Sequence, residues 1–343
     1  MARKTVYNNI TSEESLSQIL PENKELIKDF LDYLRSIDRS PNTISQYKSD
    51  LDIFFVYNLE NNGNKRFPDI TKREFARFQN HALNEWGWSP KRIRRVKSVL
   101  SSLGNYIEDI LDEEPEYEGY KSVVNKIPSP VNQTVRDKTV FSEEELQSLL
   151  NHLVENRKYR QAAVLALAMY SGRRKAEIPR FKVSYFDDEN VLFGSLWKTP
   201  ERVSTKGRGA HGKMVNLYVL KKQFEPYLIL WMNYRKENNI ESEWLFPSMD
   251  DYSKQMSTDS MDSWKEGFSK FLGKDFYWHS LRHFFTTLLV KNNIPTNVIQ
   301  DIVNWESADM VQLYTDISAD ENIGKYFDEN GIKQNKQKSL SEL

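Results

Sequence analysis

The sequence has no cysteine, no excess of positive charge and no long apolar run. Without cysteine, disulfides and thiolate metal sites are excluded, and the redox environment is left open. No uninterrupted apolar stretch approaches the roughly 20 residues that a membrane helix needs, and the mean hydropathy is −0.68. The start, Met1-Ala2-Arg3-Lys4 followed by Tyr7-Asn8-Asn9 and an acidic run, lacks the apolar centre of a signal peptide. These absences predict a soluble, cytoplasmic protein with no membrane partner. Set against each other are 48 Lys plus Arg and 49 Asp plus Glu, with a pI near 6.6. That balance runs against the basic composition expected of a nucleic-acid protein. No internal repeat is present either.

What is there is segregated charge. From Trp86 to Ile107 stand five cations, Lys91, Arg92, Arg94, Arg95 and Lys97, and no acid. Arg173, Arg174, Lys175, Arg180 and Lys182 form a second cluster, while acids gather at Asp109 to Glu118 and Asp316 to Glu321. Such segregation can make a basic face on a neutral protein.

A chain of 343 residues suits two domains. Residues 1–22 lack a clear period and read as an arm. Helical spacing begins at Asn23 with Leu26, Phe30, Leu31 and Leu34, and Ser40-Pro41-Asn42-Thr43 makes a turn and cap. A second helix carries Ile44, Tyr47, Leu51, Phe54 and Phe55. A capping box at Thr71-Lys72-Arg73-Glu74 starts a third. Ser89-Pro90 starts a fourth, with Ile93, Val96, Leu100, Leu103 and Ile107 on one face and the five cations mostly on the other. The spacing thus predicts a helical domain over 23–111. The prolines of 112–137 break the period and mark a linker. From 138 to 343 a mostly α domain with a small antiparallel sheet follows. There Ser142 and Glu145 make another capping box, Val164 to Tyr170 is an apolar helix, and Val183 to Leu196 and Lys213 to Val219 alternate like strands.

The densest chemistry lies in the last third. Trp278-His279-Ser280-Leu281-Arg282-His283 is followed by Trp305 and, nine residues later, by Tyr314; upstream stands Ser171-Gly172-Arg173-Arg174-Lys175-Ala176-Glu177. A phosphodiester repels nucleophiles and gains charge on its equatorial oxygens in the transition state, so preorganised cations are the direct remedy. Guanidinium groups suit the task because their planar fork matches two phosphate oxygens and stays charged. Arg174 and Arg282 are the candidates, although an isolated arginine after a helix is ordinarily a solvated cation. His279 and Arg282 lie at i and i+3, so a helix presents both to one target. His279 and His283 could be a metal pair at i and i+4, but no third ligand stands at a recognisable spacing, so no metal site is expected.

These segments together resemble the tyrosine recombinases of the phage-integrase family. Gly172 to Glu177 is similar to the family's Gly-x-Arg-x-x-Glu, with Arg173 where an aliphatic residue is usual; the resemblance implies that Glu177 buttresses the active-site Arg174. His279 to His283 resembles His-x-x-Arg-His, which makes His279 an acid or base, Arg282 the second phosphate clamp and His283 supporting structure. Trp305 stands where many members place histidine and some place tryptophan. Its indole only donates hydrogen bonds, which implies that it orients a phosphate oxygen and packs the nucleophile's helix. Val303-Asn304-Trp305 replaces the more usual Leu-Gly-His.

Tyr314 is one of 17 tyrosines. After Arg282 only Tyr314 and Tyr326 remain, and Leu313-Tyr314-Thr315-Asp316-Ile317 resembles the family's nucleophile segment, leaving Tyr326 as an anchor of a C-terminal helix. A phenol with a pKa of about 10 needs nearby cations and a base to activate it. The family protonates the leaving 5′ oxygen from a lysine in a β-hairpin. Lys206 in Thr205-Lys206-Gly207-Arg208-Gly209 is the choice and Lys198 the rival, with Asn216 replacing a frequent proline.

The first domain resembles the family's SAM-like core-binding module through Ser40 to Tyr47 and Leu51-Asp52-Ile53-Phe54, so the resemblance runs from about Lys24 to Gly324. It implies a two-domain clamp around double-stranded DNA, with Thr43, Lys48, Lys91, Arg92, Arg94, Arg95 and Lys97 as DNA contacts. Tyr314 would form a 3′-phosphotyrosyl bond and free a 5′ hydroxyl. The link keeps the bond energy, so no cofactor, ATP or metal is expected. Implied too are a dimer on each recombination site, a tetramer at a Holliday junction, and packing of residues 320–343 on a neighbouring protomer, in the service of integration, excision or inversion of a mobile element. Two alternatives stay open. A type IB topoisomerase-like relaxase would relax supercoils without a specific site. A catalytically silent DNA-binding factor, suggested by the departures at Arg173 and Asn304, would form no covalent adduct.

Overall fold

The computed structural model describes residues 6–131, 139–205, 212–305 and 307, and the backbone of 327–328 and 331–332. Two compact units emerge, with residues 1–137 as the body of the first and residues 138–205 and 214–343 as that of the second.

The first unit is helical. Short helices α1 (Val6–Ile10) and α2 (Glu13–Gln18) precede α3 (Pro21–Ser36), α4 (Pro41–Asn61), α5 (Lys72–Asn84) and α6 (Pro90–Ile110). Local chemistry sets the starts. Ser40, Thr71 and Ser89 accept hydrogen bonds from the backbone N–H three residues on, and proline occupies the first turn of α3, α4 and α6. There the missing N–H costs nothing and the fixed φ is already helical. The core holds Leu26, Phe30, Leu34, Leu51, Phe54, Phe55, Phe75, Phe78, Ile93, Val96, Leu100 and Ile107. Phe54 stacks on Phe75 at 5.3 Å and meets Phe78 edge-on at 5.0 Å.

Two expectations change at the unit's edges. Residues 6–18, read as an arm without a period, form α1 and α2, both packed on α4. Tyr7 donates to the Asp52 carboxylate at 2.9 Å and Ile19 is buried. These helices are too short for a period to show, and the Ser12–Ser15 capping box is their local signal. The expected linker is also partly structure. A 3-10 turn at Val124–Lys126 packs on α5 and α6 with Val124 in the core, and the Ser122 N–H donates to Glu108 at 2.8 Å.

The second unit is built on α8 (Tyr159–Ser171), preceded by α7 (Glu143–Glu155). From Ala162 to Ser171 every residue of α8 is buried, as a helix apolar on all faces must be. It packs against α7, α9 (Lys221–Glu237) and α12 (Trp278–Lys291). Between α8 and α9 lie β1 (Val191–Leu192), β2 (Leu196–Lys198), β3 (Val203–Thr205), β4 (Lys213–Val215) and β5 (Tyr218–Leu220). Strands β1, β2 and β5 form one antiparallel sheet, with Trp197 opposite Val191 and Val219, while β3 pairs with β4. The strand expected over Val183 to Leu196 is shorter: 183–186 and 188–190 are 3-10 turns. Asp187, Asp188 and Asn190 favour local turns over a ladder. Helices α10 (Thr258–Ser263), α11 (Lys265–Leu272) and α13 (Thr296–Val303) complete the unit.

Near the C-terminus β6 (Phe327–Asp328) and β7 (Gly331–Ile332) pair antiparallel, while Tyr326, expected to anchor a C-terminal helix, lies outside the described residues. Among the described residues no helix is long and apolar enough to cross a membrane.

Candidate active site

Helix α8 ends at Gly172, whose φ of +61° is left-handed. A Cβ there would sit 2.4 Å from a ring carbon of Phe285 on α12. Only glycine allows both the turn and the approach. The chain leaving that turn presents two arginines with different fates. Arg173 is buried, its Nε donating to Ser171 O at 3.0 Å and an Nη to Ile302 O. Arg174 is half-buried and held by Glu177, which is 2% exposed. One carboxylate oxygen of Glu177 accepts from the Arg174 guanidinium at 2.9 Å and the other from the Arg174 backbone N–H at 3.1 Å.

Helix α12 carries the second group. Arg282 is 1% exposed; its guanidinium donates to Gly172 O at 2.8 Å and to Val303 O at 2.9 Å. One turn earlier stands His279, exposed to solvent. Surrounding protein, followed by the charges of His283, Arg282 and Arg174, pushes its pKa down from 6.5 to about 4. The ring is therefore neutral at pH 7. His283, half-buried, meets it edge-on at 5.6 Å. Among the described residues no third His, Cys, Asp or Glu joins this pair in a group that could hold a metal ion.

Trp305 follows the end of α13. It is 6% exposed, packs with Phe285, Leu289, Ile299 and Val303, and lies under Arg282 with the guanidinium carbon 5.0 Å from its ring centre. Such stacking orients a guanidinium without using its donors. Asn304, in the position where glycine is usual, adopts φ +60° as the C-cap of α13. Asparagine tolerates that conformation best after glycine. Its side chain donates to Asn216 O at 3.2 Å, and the Asn216 side chain donates in turn to Thr199 O at 2.7 Å. The two departures, Asn304 and Asn216, are thus bonded to each other.

Arg174, Glu177, His279, His283, Arg282 and Trp305 are brought together from three parts of the sequence. Lys206 and Tyr314 lie outside the described residues. Lys198 is on β2 opposite Tyr218, half-exposed, on the other face from buried Trp197. Gly172 was read from sequence as a motif position, and Arg173, Asn304 and Asn216 as departures from the family's pattern; their contacts, the carbonyl links of Arg173 and the Asn304–Asn216 bond, were not foreseen.

The cations of α6 are less open than expected. Arg95 donates to Asp50 at 2.7 Å, Arg92 lies 3.9 Å from the same carboxylate, and Asp50 is 1% exposed. Arg92 also stacks over Trp88 at 4.2 Å. Arg94 donates to Pro130 O, and Lys97 to Ile127 O and Ser129. Lys91 is exposed. On α4, Lys48 pairs with Asp52 at 2.7 Å and Thr43 bonds to its cap, Ser40, at 2.8 Å.

Residues 139–321 match the phage integrase family, and residues 26–114 match the phage integrase N-terminal SAM-like domain. The chain belongs to the phage integrase family of tyrosine recombinases, site-specific DNA recombinases. It is 29% identical over 259 residues to the SPbeta prophage-derived recombinase-like protein YomM of Bacillus subtilis (strain 168), covering 75% of this chain and 74% of that one. A tyrosine recombinase of Thermosipho africanus (strain TCF52B) is 25% identical over 308 residues, 87% of this chain and 96% of the relative. The fold is similar to that of the XerH site-specific recombinase bound to palindromic difH substrate, with a TM-score of 0.66 at 17% identity, covering 90% of this chain and 97% of that one.

Proposed function

We propose that Tyr314 attacks a backbone phosphate of duplex DNA held between Arg174 and Arg282. The phenolic oxygen forms the new bond to phosphorus, and the bond to the 5′ oxygen breaks. The tyrosine's proton passes to neutral His279, and Lys206 gives a proton to the leaving oxygen. The 5′ hydroxyl of the partner strand later reverses these roles. The observation that carries this reading is the convergence of Arg174, His279, Arg282 and Trp305 on the turn at Gly172. In this reading two protomers bind each recombination site and four assemble at the junction, with residues 320–343 packing on a neighbour, and the reaction moves or inverts a mobile element.

The test is a suicide substrate, cut from the DNA flanking the gene and nicked near the scissile phosphate. Wild type is expected to give a covalent band on a denaturing gel, and Tyr314→Phe to bind the site and give none. Trapping by Tyr314→Phe would move the nucleophile elsewhere, with Tyr326 next to be changed. Relaxation of supercoils lacking any site would favour the relaxase reading.

A further inference from the structure

We propose that Arg173 is a positioning residue for cleavage: it ties the end of α13, and with it Trp305, to the turn that presents Arg174. Two parallel links support this. Arg173 joins Ser171 O to Ile302 O, and Arg282 joins the next carbonyls along, Gly172 O to Val303 O. These four oxygens sit at the C-terminal ends of α8 and α13. Helix ends of this kind leave carbonyls without intrahelical partners and carry partial negative charge, which a guanidinium satisfies. An aliphatic side chain could fill the position of Arg173 without the cost of burying a cation. Burial draws the Arg173 pKa down to about 10, with no carboxylate among its hydrogen-bond partners. The guanidinium is held there by carbonyls, and what those carbonyls gain is a fixed distance between two helix ends. Trp305 begins two residues beyond Val303 and stacks under Arg282. A loosened α13 end would therefore shift the tryptophan and the chain that runs on toward Tyr314.

This inference rests on the proposed cleavage reaction. Its test compares wild type, Arg173→Met, which keeps the volume and removes the donors, and Arg173→Lys, which keeps the charge but replaces the planar fork by a single nitrogen on a shorter reach. Single-turnover adduct formation on the suicide substrate, DNA affinity by gel shift and thermal midpoint are read for each. Misplacement by about 1 Å can slow a reaction by two orders of magnitude, so Arg173→Met is expected to cleave at least about 10-fold more slowly, with affinity within about 2-fold of wild type. Arg173→Lys should fall between. In a Trp305→Phe background, Arg173→Met should slow cleavage by less than about 2-fold further, because both changes act through one contact. Wild-type cleavage by Arg173→Met, or losses that multiply in the double variant, would overturn the proposal. If Arg173→Met does not fold, Arg173→Lys decides: wild-type cleavage overturns it, and slowed cleavage at wild-type affinity supports it. Absence of any adduct with wild type would count against the cleavage reaction itself and not against Arg173.

Discussion

The Arg282 guanidinium donates to the carbonyl oxygen of Gly172 across 110 residues of sequence, at 2.8 Å. One end of this bond belongs to the helix that carries His279, the other to the turn that presents Arg174. Their mutual placement depends on a backbone oxygen that no motif records.

Arg174→Ala and Arg282→Ala should each lower the rate of covalent cleavage by at least about two orders of magnitude, since each removes a cation from the phosphate in the transition state. Binding should change much less. Arg282→Ala should also lower stability by about 2–4 kcal/mol, because it leaves buried carbonyls without their donor. Adduct rates and denaturant midpoints check both statements; near-normal cleavage by Arg174→Ala would remove it from the clamp.

Gly172→Ala meets two obstacles at once, a φ of +61° and a Phe285 ring carbon at 2.4 Å. The expected loss is about 2–4 kcal/mol, from the left-handed backbone and overpacking together. Gly172→Ala combined with Phe285→Leu should recover part of it. Equal midpoints for the single and double variants would show that the ring is not the obstacle.

His279 has a folded pKa of about 4 against its ordinary 6.5. Between those values the unfolded chain binds a proton that the folded chain refuses, so stability rises with pH across the window. Wild type should therefore lose more stability than His279→Gln as pH falls from 6.5 toward 4, with the two curves parallel above pH 7. Urea midpoints measured at several pH values read this directly; parallel curves throughout would refute a depressed pKa.

The cations of α6 should divide into two kinds. Arg92→Ala with Arg95→Ala strips buried Asp50 of both partners, and a loss of about 1–3 kcal/mol is expected after allowing for the pair's solvent-facing side. Lys91→Ala with Arg94→Ala should change stability by less than about 0.5 kcal/mol. If both contact phosphates, the latter pair should lower the salt slope of DNA binding by roughly 0.9 for each. Titrations at several salt concentrations give the slope, and an unchanged value would remove Lys91 and Arg94 from the DNA surface.

The sequence by itself determined α3 to α6 of the first unit and the capping of α7. Ser40, Thr71, Ser89 and Ser142 act on N–H groups three residues away, and the apolar period needs no partner to be read. The motifs around Arg174, His279 and Arg282 were legible because each is short and spaced to one helix or turn. Only the tertiary structure decided what lies between them. It put Arg173 inside and Arg174 beside His279, although the two are neighbours in sequence, because the left-handed turn at Gly172 aims successive side chains in different directions. It also bonded Asn304 to Asn216 and turned Arg92 and Arg95 toward Asp50. Those contacts join residues tens to more than a hundred positions apart, and hydrogen bonds to backbone carbonyls leave no trace in residue identity.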